Sequence, residues 1–68
     1  MDRYCVNTQA QPTGEHEVHK VTCSYLPASY HQMDLGYHAT CASAVTAARK
    51  HYHTVDGCYF CSNACHKR

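Results

Sequence analysis

The segment DGCYFCSNACHKR, residues 56–68, holds three cysteines and a histidine within nine positions. Cys58 and Cys61 are two residues apart, a spacing that lets both sulfurs reach one metal ion, at about 2.3 Å for zinc. Gly57 allows the chain to bend just before this pair. The segment is compatible with a metal site, a redox dithiol, part of a disulfide framework or a haem attachment site.

The 68-residue chain has few of the side chains that build a hydrophobic core. It contains five valines, two leucines, one phenylalanine and no isoleucine, about 12% of its residues and below the ~20% typical of chains that fold. Its net charge of +1 is unlike that of disordered chains, which are strongly charged. We therefore expect one small domain, residues 1–68, that needs a covalent or metal staple from its six cysteines and seven histidines.

The sequence predicts neither a secretory signal nor a membrane span. The N-terminus, MDRYCVNTQAQ, lacks the apolar stretch of a secretory signal, and no apolar run approaches the ~18 residues that span a membrane. These features predict a cytoplasmic protein that does not enter a membrane. Cytosolic thiols stay reduced, which favours a metal over disulfides as the staple.

Alternating apolar residues predict a small antiparallel sheet. RYCVN (residues 3–7) and EVHKVTC (residues 17–23) flank a loop that contains Pro12 and Gly14, so they read as a β-hairpin. MDLGY (residues 33–37) alternates in the same way and is a candidate third strand.

The segment TCASAVTAARKHYH predicts the main α-helix. Cys41, Val45, Ala48 and Tyr52 fall at i, i+4, i+7 and i+11, which is one stripe of a helix. Thr40 suits the N-cap position, and we expect the helix to run from about Cys41 to His53. The fold class predicted is α+β: a small antiparallel sheet, one main helix and a C-terminal cysteine knuckle.

The C-terminal segment offers further metal ligands beyond the pair Cys58 and Cys61. If SNACH begins a helical turn, Cys65 lies four residues after Cys61 on the same face and can join the site. His66 then points about 100° away, and only an extended chain would reverse that choice. No Ser-His-Asp set, paired carboxylates or glycine-rich phosphate loop accompanies the cluster.

A remaining ligand must come from outside this segment. Cys5, Cys23 and Cys41 are candidates, as is His19. His19 and Cys23 would be about 13 Å apart on a continuous strand, so both could bind only if the strand is broken between them. We predict a metal held by Cys58, Cys61, Cys23 and Cys65, with His19 and His66 as alternatives for the fourth position.

Structural zinc is the leading interpretation, and it implies a function. A shell closed by four protein ligands leaves no position for a substrate, which favours a binding or interaction module over an enzyme. The first alternative is a thiol redox or stress protein that uses Cys58-x-x-Cys61, although no βαβ pattern surrounds the pair. The second is a secreted module with three disulfides, and the third is a haem site, whose usual C-x-x-C-H spacing is absent.

Charge is distributed unevenly along the chain. Residues 1–34 carry a net charge of −2 and residues 35–68 carry +3. The basic C-terminal half suggests an acidic protein or a nucleic acid as partner, although it lacks the dense basic face of a dedicated nucleic-acid binder.

VHKVTCSYLP, LGYHATCASAVTAA and GCYFCSNACH together resemble a group of small Cys- and His-rich bacterial proteins, and the resemblance implies no particular activity. The combination of His-x-x-x-Cys on a strand, an alanine-rich helix and a final CxxC is also distantly similar to the Ada-type metal-binding module. That similarity implies a small sheet and helices joined by a tetrahedral zinc, with Cys58, Cys61 and Cys23 among its ligands. His19 stands where the module has a second hairpin cysteine, and Cys65 and His66 extend past its CxxC.

Overall fold

A computed structural model describes residues 1–67, and in that range a mixed four-stranded sheet carries one helix on one face. The sheet order is β3-β1-β2-β4. The strands are β1 (Asp2–Asn7), β2 (His16–Lys20), β3 (Gln32–His38) and β4 (Val55–Gly57), and the helix is α1 (Cys41–Ala48). The α+β class predicted from the sequence is confirmed.

The predicted hairpin is formed by β1 and β2, which pair antiparallel with Cys5 opposite His19 and Val6 opposite Val18. The loop between them turns at Gly14, whose φ of 99° favours glycine. The predicted third strand is also present. β3 pairs antiparallel with the edge of β1 that faces away from β2, with a register shift between Tyr4 and Cys5.

A fourth strand was not predicted, and it makes the sheet mixed rather than purely antiparallel. β4 pairs parallel with β2, with His16 opposite Val55 and Val18 opposite Gly57. Three residues are too few to show an alternating pattern in the sequence. This strand is recognised only from its pairing with β2 in the structure. Its position matters because the chain runs from β4 directly into Cys58.

Alternation along β1 and β2 divides their buried side chains between the two faces of the sheet. Tyr4, Val6 and Val18 face α1 and are at most 2% exposed. Cys5 and His19, also at most 2% exposed, alternate with them and therefore point to the opposite face. The core under the helix is completed by Ala44, Val45 and Ala48. Because half of these core residues lie on the helix and two of those are alanines, the core buries little apolar area.

The helix is shorter than predicted. It begins at Cys41 as expected but ends at Ala48, and the predicted end at His53 is wrong. The chain leaves the helix through tight turns, in which the N–H of Lys50 donates to Ala47 and that of His51 to Ala48. Thr40 occupies the N-cap position, but its side chain makes no capping hydrogen bond.

Tyr52, the last residue of the predicted apolar stripe, lies beyond the helix. Its ring stacks on His16 with the centroids 3.7 Å apart, so it still covers the same side of the sheet. Within residues 1–67, no helix has the length and apolar content needed to cross a membrane.

Candidate metal centre

Four potential ligands meet on the face of the sheet opposite α1. They are His19, Cys23, Cys58 and Cys61, and one ligand atom from each lies within 4.8 Å of the other three. His19 lies in β2 and Cys23 in the turn after it, and the two other cysteines lie in the segment after β4. The centre therefore joins positions that are about 40 residues apart in the sequence.

Cys23 reaches His19 because β2 stops between them. The strand ends at Lys20, and a turn follows in which the N–H of Cys23 donates to the carbonyl of Lys20 at 3.0 Å. The predicted strand to Cys23 is therefore three residues too long. Since the strand is broken, the distance that separates positions i and i+4 of an extended chain no longer applies.

Cys58 is placed by the parallel pairing of β4 with β2. Its N–H continues the ladder by donating to the carbonyl of Val18 at 2.9 Å, which sets it beside His19. The CxxC then closes as a turn, because the N–H of Ser62 donates to the carbonyl of Cys58 at 2.9 Å. This turn brings Cys61 to the same centre.

The distances between ligand atoms fit a tetrahedral zinc. Zn–S bonds of 2.3 Å and Zn–N bonds of about 2.0–2.1 Å place two sulfurs about 3.8 Å apart, and a sulfur and a nitrogen about 3.6 Å apart. Cys23 Sγ and Cys58 Sγ are 3.9 Å apart, and Cys61 Sγ lies 3.9 Å from His19 Nδ1. These two distances are close to the tetrahedral spacing, and the remaining pairs of ligand atoms lie within 4.8 Å, at most about 1.2 Å beyond that spacing.

Backbone N–H groups point at all three sulfurs. The N–H of Tyr25 donates to Cys23 Sγ at 3.4 Å, and that of Lys20 donates to Cys61 Sγ at 3.2 Å. Cys58 receives N–H donors from Phe60 and Cys61. Such donors stabilise a thiolate, the form in which cysteine binds a metal.

Burial sets the protonation of two of these groups when no metal is bound. It raises the pKa of the Cys58 thiol, against which the N–H donors act. It also lowers the pKa of His19 below its ordinary value. The imidazole therefore stays neutral and keeps a lone pair for a metal, whereas the Cys58 proton must be displaced by one.

Cys65, predicted as a ligand, does not join the centre. It forms a disulfide with Cys41, with an S–S distance of 2.02 Å. The prediction assumed an α-helical turn after Cys61, but the chain forms a 3₁₀ turn over Asn63–Cys65. That turn directs Cys65 towards the start of α1. The fourth member of the cluster is His19, which was one of the two alternatives.

His66, the other alternative, also lies outside the centre. Its Nδ1 is 3.0 Å from the carbonyl oxygen of Gly57 and 3.2 Å from Asp56 Oδ2. Its ring packs edge-on against Tyr59. These contacts tie the end of the chain to β4.

Cys41 and Cys5, the two remaining candidates, both lie outside the cluster. Cys41 is the helix residue of the disulfide rather than a ligand or a free core thiol. Cys5 is a free, buried thiol opposite His19, and burial raises its pKa to about 11. A cluster that could hold a metal ion and a disulfide thus coexist, and the alternative framework of three disulfides is not the one observed.

Glu17 is a neighbour of this cluster that the sequence did not single out. It precedes His19 by two positions on β2, and its Oε1 lies 3.4 Å from His19 Nε2. The period of two in a strand places both side chains on one face, so the pattern Glu-x-His within β2 was the available signal.

Comparisons of this chain with models of known protein families, with curated proteins and with solved structures find no match.

Proposed function

We propose that this chain is a zinc-binding domain in which one Zn²⁺, held by His19, Cys23, Cys58 and Cys61, stabilises the fold. The observation that carries the proposal is the convergence of these four ligand atoms within 4.8 Å. Three sulfurs and one imidazole nitrogen are a donor set typical of structural zinc. Calcium and magnesium, which prefer oxygen ligands, fit this set poorly.

The zinc supplies stability that the core lacks. The ion would connect the end of β2 to the segment after β4, on the face of the sheet that α1 does not cover. Because such a site does not exist in the unfolded chain, its binding free energy adds directly to folding. Zinc and the Cys41–Cys65 disulfide then fix the C-terminal segment from two sides.

We further propose that the domain acts by binding a partner rather than by catalysis. Four protein ligands close the zinc shell, so no position is open to a substrate or an activated water. Three aromatic side chains beside the centre are largely exposed: Tyr25 (60%), Tyr59 (56%) and Phe60 (61%). Tyr25 and Phe60 stack with their centroids 4.0 Å apart. A chain with so few apolar residues that leaves its one phenylalanine exposed is better suited to contact another molecule.

The experiment for the metal is native mass spectrometry of the purified chain with and without a chelator. We expect one zinc per chain, and we expect the dispersed NMR spectrum of the zinc-loaded protein to collapse when the chelator removes the ion. A chain that stays folded and binds no zinc would overturn the proposal.

The experiment for the binding role is an NMR titration of the ¹⁵N-labelled, zinc-loaded protein. The basic half of the chain suggests two probes, a single-stranded oligonucleotide and a polyglutamate peptide. The proposal predicts shifts of the Tyr25, Tyr59 and Phe60 signals with at least one of them. An unchanged spectrum at millimolar concentrations of both would contradict an acidic partner at this surface.

Burial of Cys58 argues against the redox alternative. A reactive CxxC cysteine needs a lowered pKa, whereas burial raises that of Cys58.

A further inference from the structure

We infer that Glu17 is a positioning residue of the metal centre: its carboxylate fixes the His19 ring so that Nδ1, and not Nε2, binds the metal. The inference rests on the proposed zinc site and adds a residue that is not one of the four ligands.

The two nitrogens of the His19 ring face different groups. Nδ1 is 3.9 Å from Cys61 Sγ and so faces the ligand cluster. Nε2 is 3.4 Å from Glu17 Oε1 and faces away from the cluster. Since a neutral imidazole carries one proton, an Nε2–H directed at a carboxylate leaves the lone pair on Nδ1.

Burial makes Glu17 important for this orientation. The His19 side chain is 2% exposed, so bulk water has little access to Nε2. The Glu17 side chain is 21% exposed, so the carboxylate beside Nε2 is itself largely shielded from water.

The strand geometry explains why this pair is well placed. Glu17 and His19 are neighbours on one face of β2, and β2 is paired on both sides, by β1 and β4. A central strand allows little backbone movement, so the distance between the two side chains is set by the sheet. Carboxylates that orient a metal-bound histidine also make it a more basic ligand, and their loss typically costs 10–100-fold in metal affinity.

The test compares the zinc affinities of three proteins by competition with a chelator: the wild type, Glu17→Gln and Asp34→Asn. Glu17→Gln keeps the size of the side chain and removes its charge. Asp34→Asn removes the same charge from the outer strand β3, where Asp34 pairs with Arg3. We expect Glu17→Gln to weaken zinc binding 10–100-fold and Asp34→Asn to change it less than about twofold.

A second readout separates positioning from a general structural role. In zinc-loaded protein, ¹⁵N spectra of the imidazoles should show His19 with a protonated Nε2 and a metal-bound Nδ1. In zinc-saturated Glu17→Gln the fold should persist while the Nε2–H signal moves towards that of a weaker hydrogen bond or broadens by exchange with water.

The outcomes distinguish this inference from the proposed function. If wild-type protein binds zinc and Glu17→Gln binds it equally well with an unchanged Nε2–H signal, the role of Glu17 is refuted and the zinc site stands. If wild-type protein binds no zinc, both fall. Nε2 ligation of the metal by His19 would also overturn the inference, because Glu17 would then contact the ligating nitrogen.

Discussion

Cys41 and Cys65 form a disulfide that ties the first residue of α1 to the segment just after the CxxC. The two cysteines are 24 residues apart in the sequence, and β4, Cys58 and Cys61 all lie between them. The bridge therefore closes a loop that contains half of the metal centre. The disulfide and the proposed zinc would thus fix the same C-terminal segment, through different cysteines.

Removing the disulfide should destabilise the protein without abolishing its metal site. Closing a loop of this length lowers the entropy of the unfolded chain by an amount worth about 3.5 kcal/mol at 25 °C. We expect the double variant Cys41→Ala/Cys65→Ala to lose a free energy of unfolding of that order, measured by denaturation with zinc present. It should still bind one zinc, and loss of zinc from a folded double variant would show that Cys65 is a ligand after all.

Substitution of two equally buried cysteines separates a ligand from a packing residue. Cys58 and Cys5 are 1% and 2% exposed, so the cost of burying a hydroxyl in place of the sulfur is similar for Cys58→Ser and Cys5→Ser. We expect Cys58→Ser to lose zinc under conditions in which the wild type is saturated, and Cys5→Ser to retain it. The zinc content of the two purified variants measures this, and equal zinc content would contradict the assignment.

Cys5 should be the least reactive of the free thiols. Burial raises its pKa to about 11, and only the thiolate is alkylated at an appreciable rate. In the native zinc-loaded protein we expect no labelling of Cys5 by iodoacetamide at pH 8, measured by peptide mass mapping. The raised pKa also makes stability depend on pH. Because the folded protein holds the Cys5 proton more tightly than the unfolded chain does, the contribution of Cys5 to the free energy of unfolding is complete at neutral pH and declines as the pH rises from about 8.5 towards 11.

Zinc affinity should increase with pH. The raised pKa of Cys58 keeps its proton in place at neutral pH when no metal is bound, so zinc must displace it, and one displaced proton changes the affinity tenfold per pH unit. Because the pKa of His19 is lowered, zinc displaces a further proton from this ligand only below the ordinary histidine pKa of about 6.5. We expect at least a tenfold gain per unit from pH 6.5 to 8 in chelator competition, and a pH-independent affinity would be inconsistent with a cysteine-rich site.

Gly57 should tolerate no side chain. A Cβ at this position would lie 2.6 Å from the Cβ of Cys65 and 2.7 Å from the carbonyl oxygen of Ser62. We expect Gly57→Ala to destabilise the fold by about 1–3 kcal/mol through overpacking. Gly14→Ala is a useful comparison, because nothing lies within 4 Å of its Cβ and only the positive φ is disfavoured. A Gly57→Ala variant as stable as the wild type would mean that the C-terminal segment does not pack over β4.

Periodicity accounts for the parts of the fold that the sequence predicts. Alternation identified β1, β2 and β3, and the helical stripe from Cys41 identified α1, because these patterns depend only on neighbouring residues. β4 is too short to carry such a pattern and exists because β2 offers it a partner. The helix ends at Ala48 and the chain turns towards β4, which the apolar stripe from Cys41 to Tyr52 did not indicate.

Only part of the candidate site could likewise be predicted from the sequence. The CxxC spacing brings Cys58 and Cys61 together locally, so sequence alone could propose them. The distance argument correctly required a break between His19 and Cys23, but no residue pattern located that break at Lys20. The pairing of Cys65 with Cys41 depends on where a 3₁₀ turn points, which the spacing of cysteines does not encode.

Whether zinc binds this cluster is tested by the zinc content of the wild type and of His19→Ala, measured by native mass spectrometry at equal free zinc. We expect one zinc per wild-type chain and a large loss of zinc in His19→Ala, with the Cys41–Cys65 bridge intact in both. A folded wild-type protein without zinc, or a His19→Ala variant that binds zinc as tightly as the wild type, would contradict it.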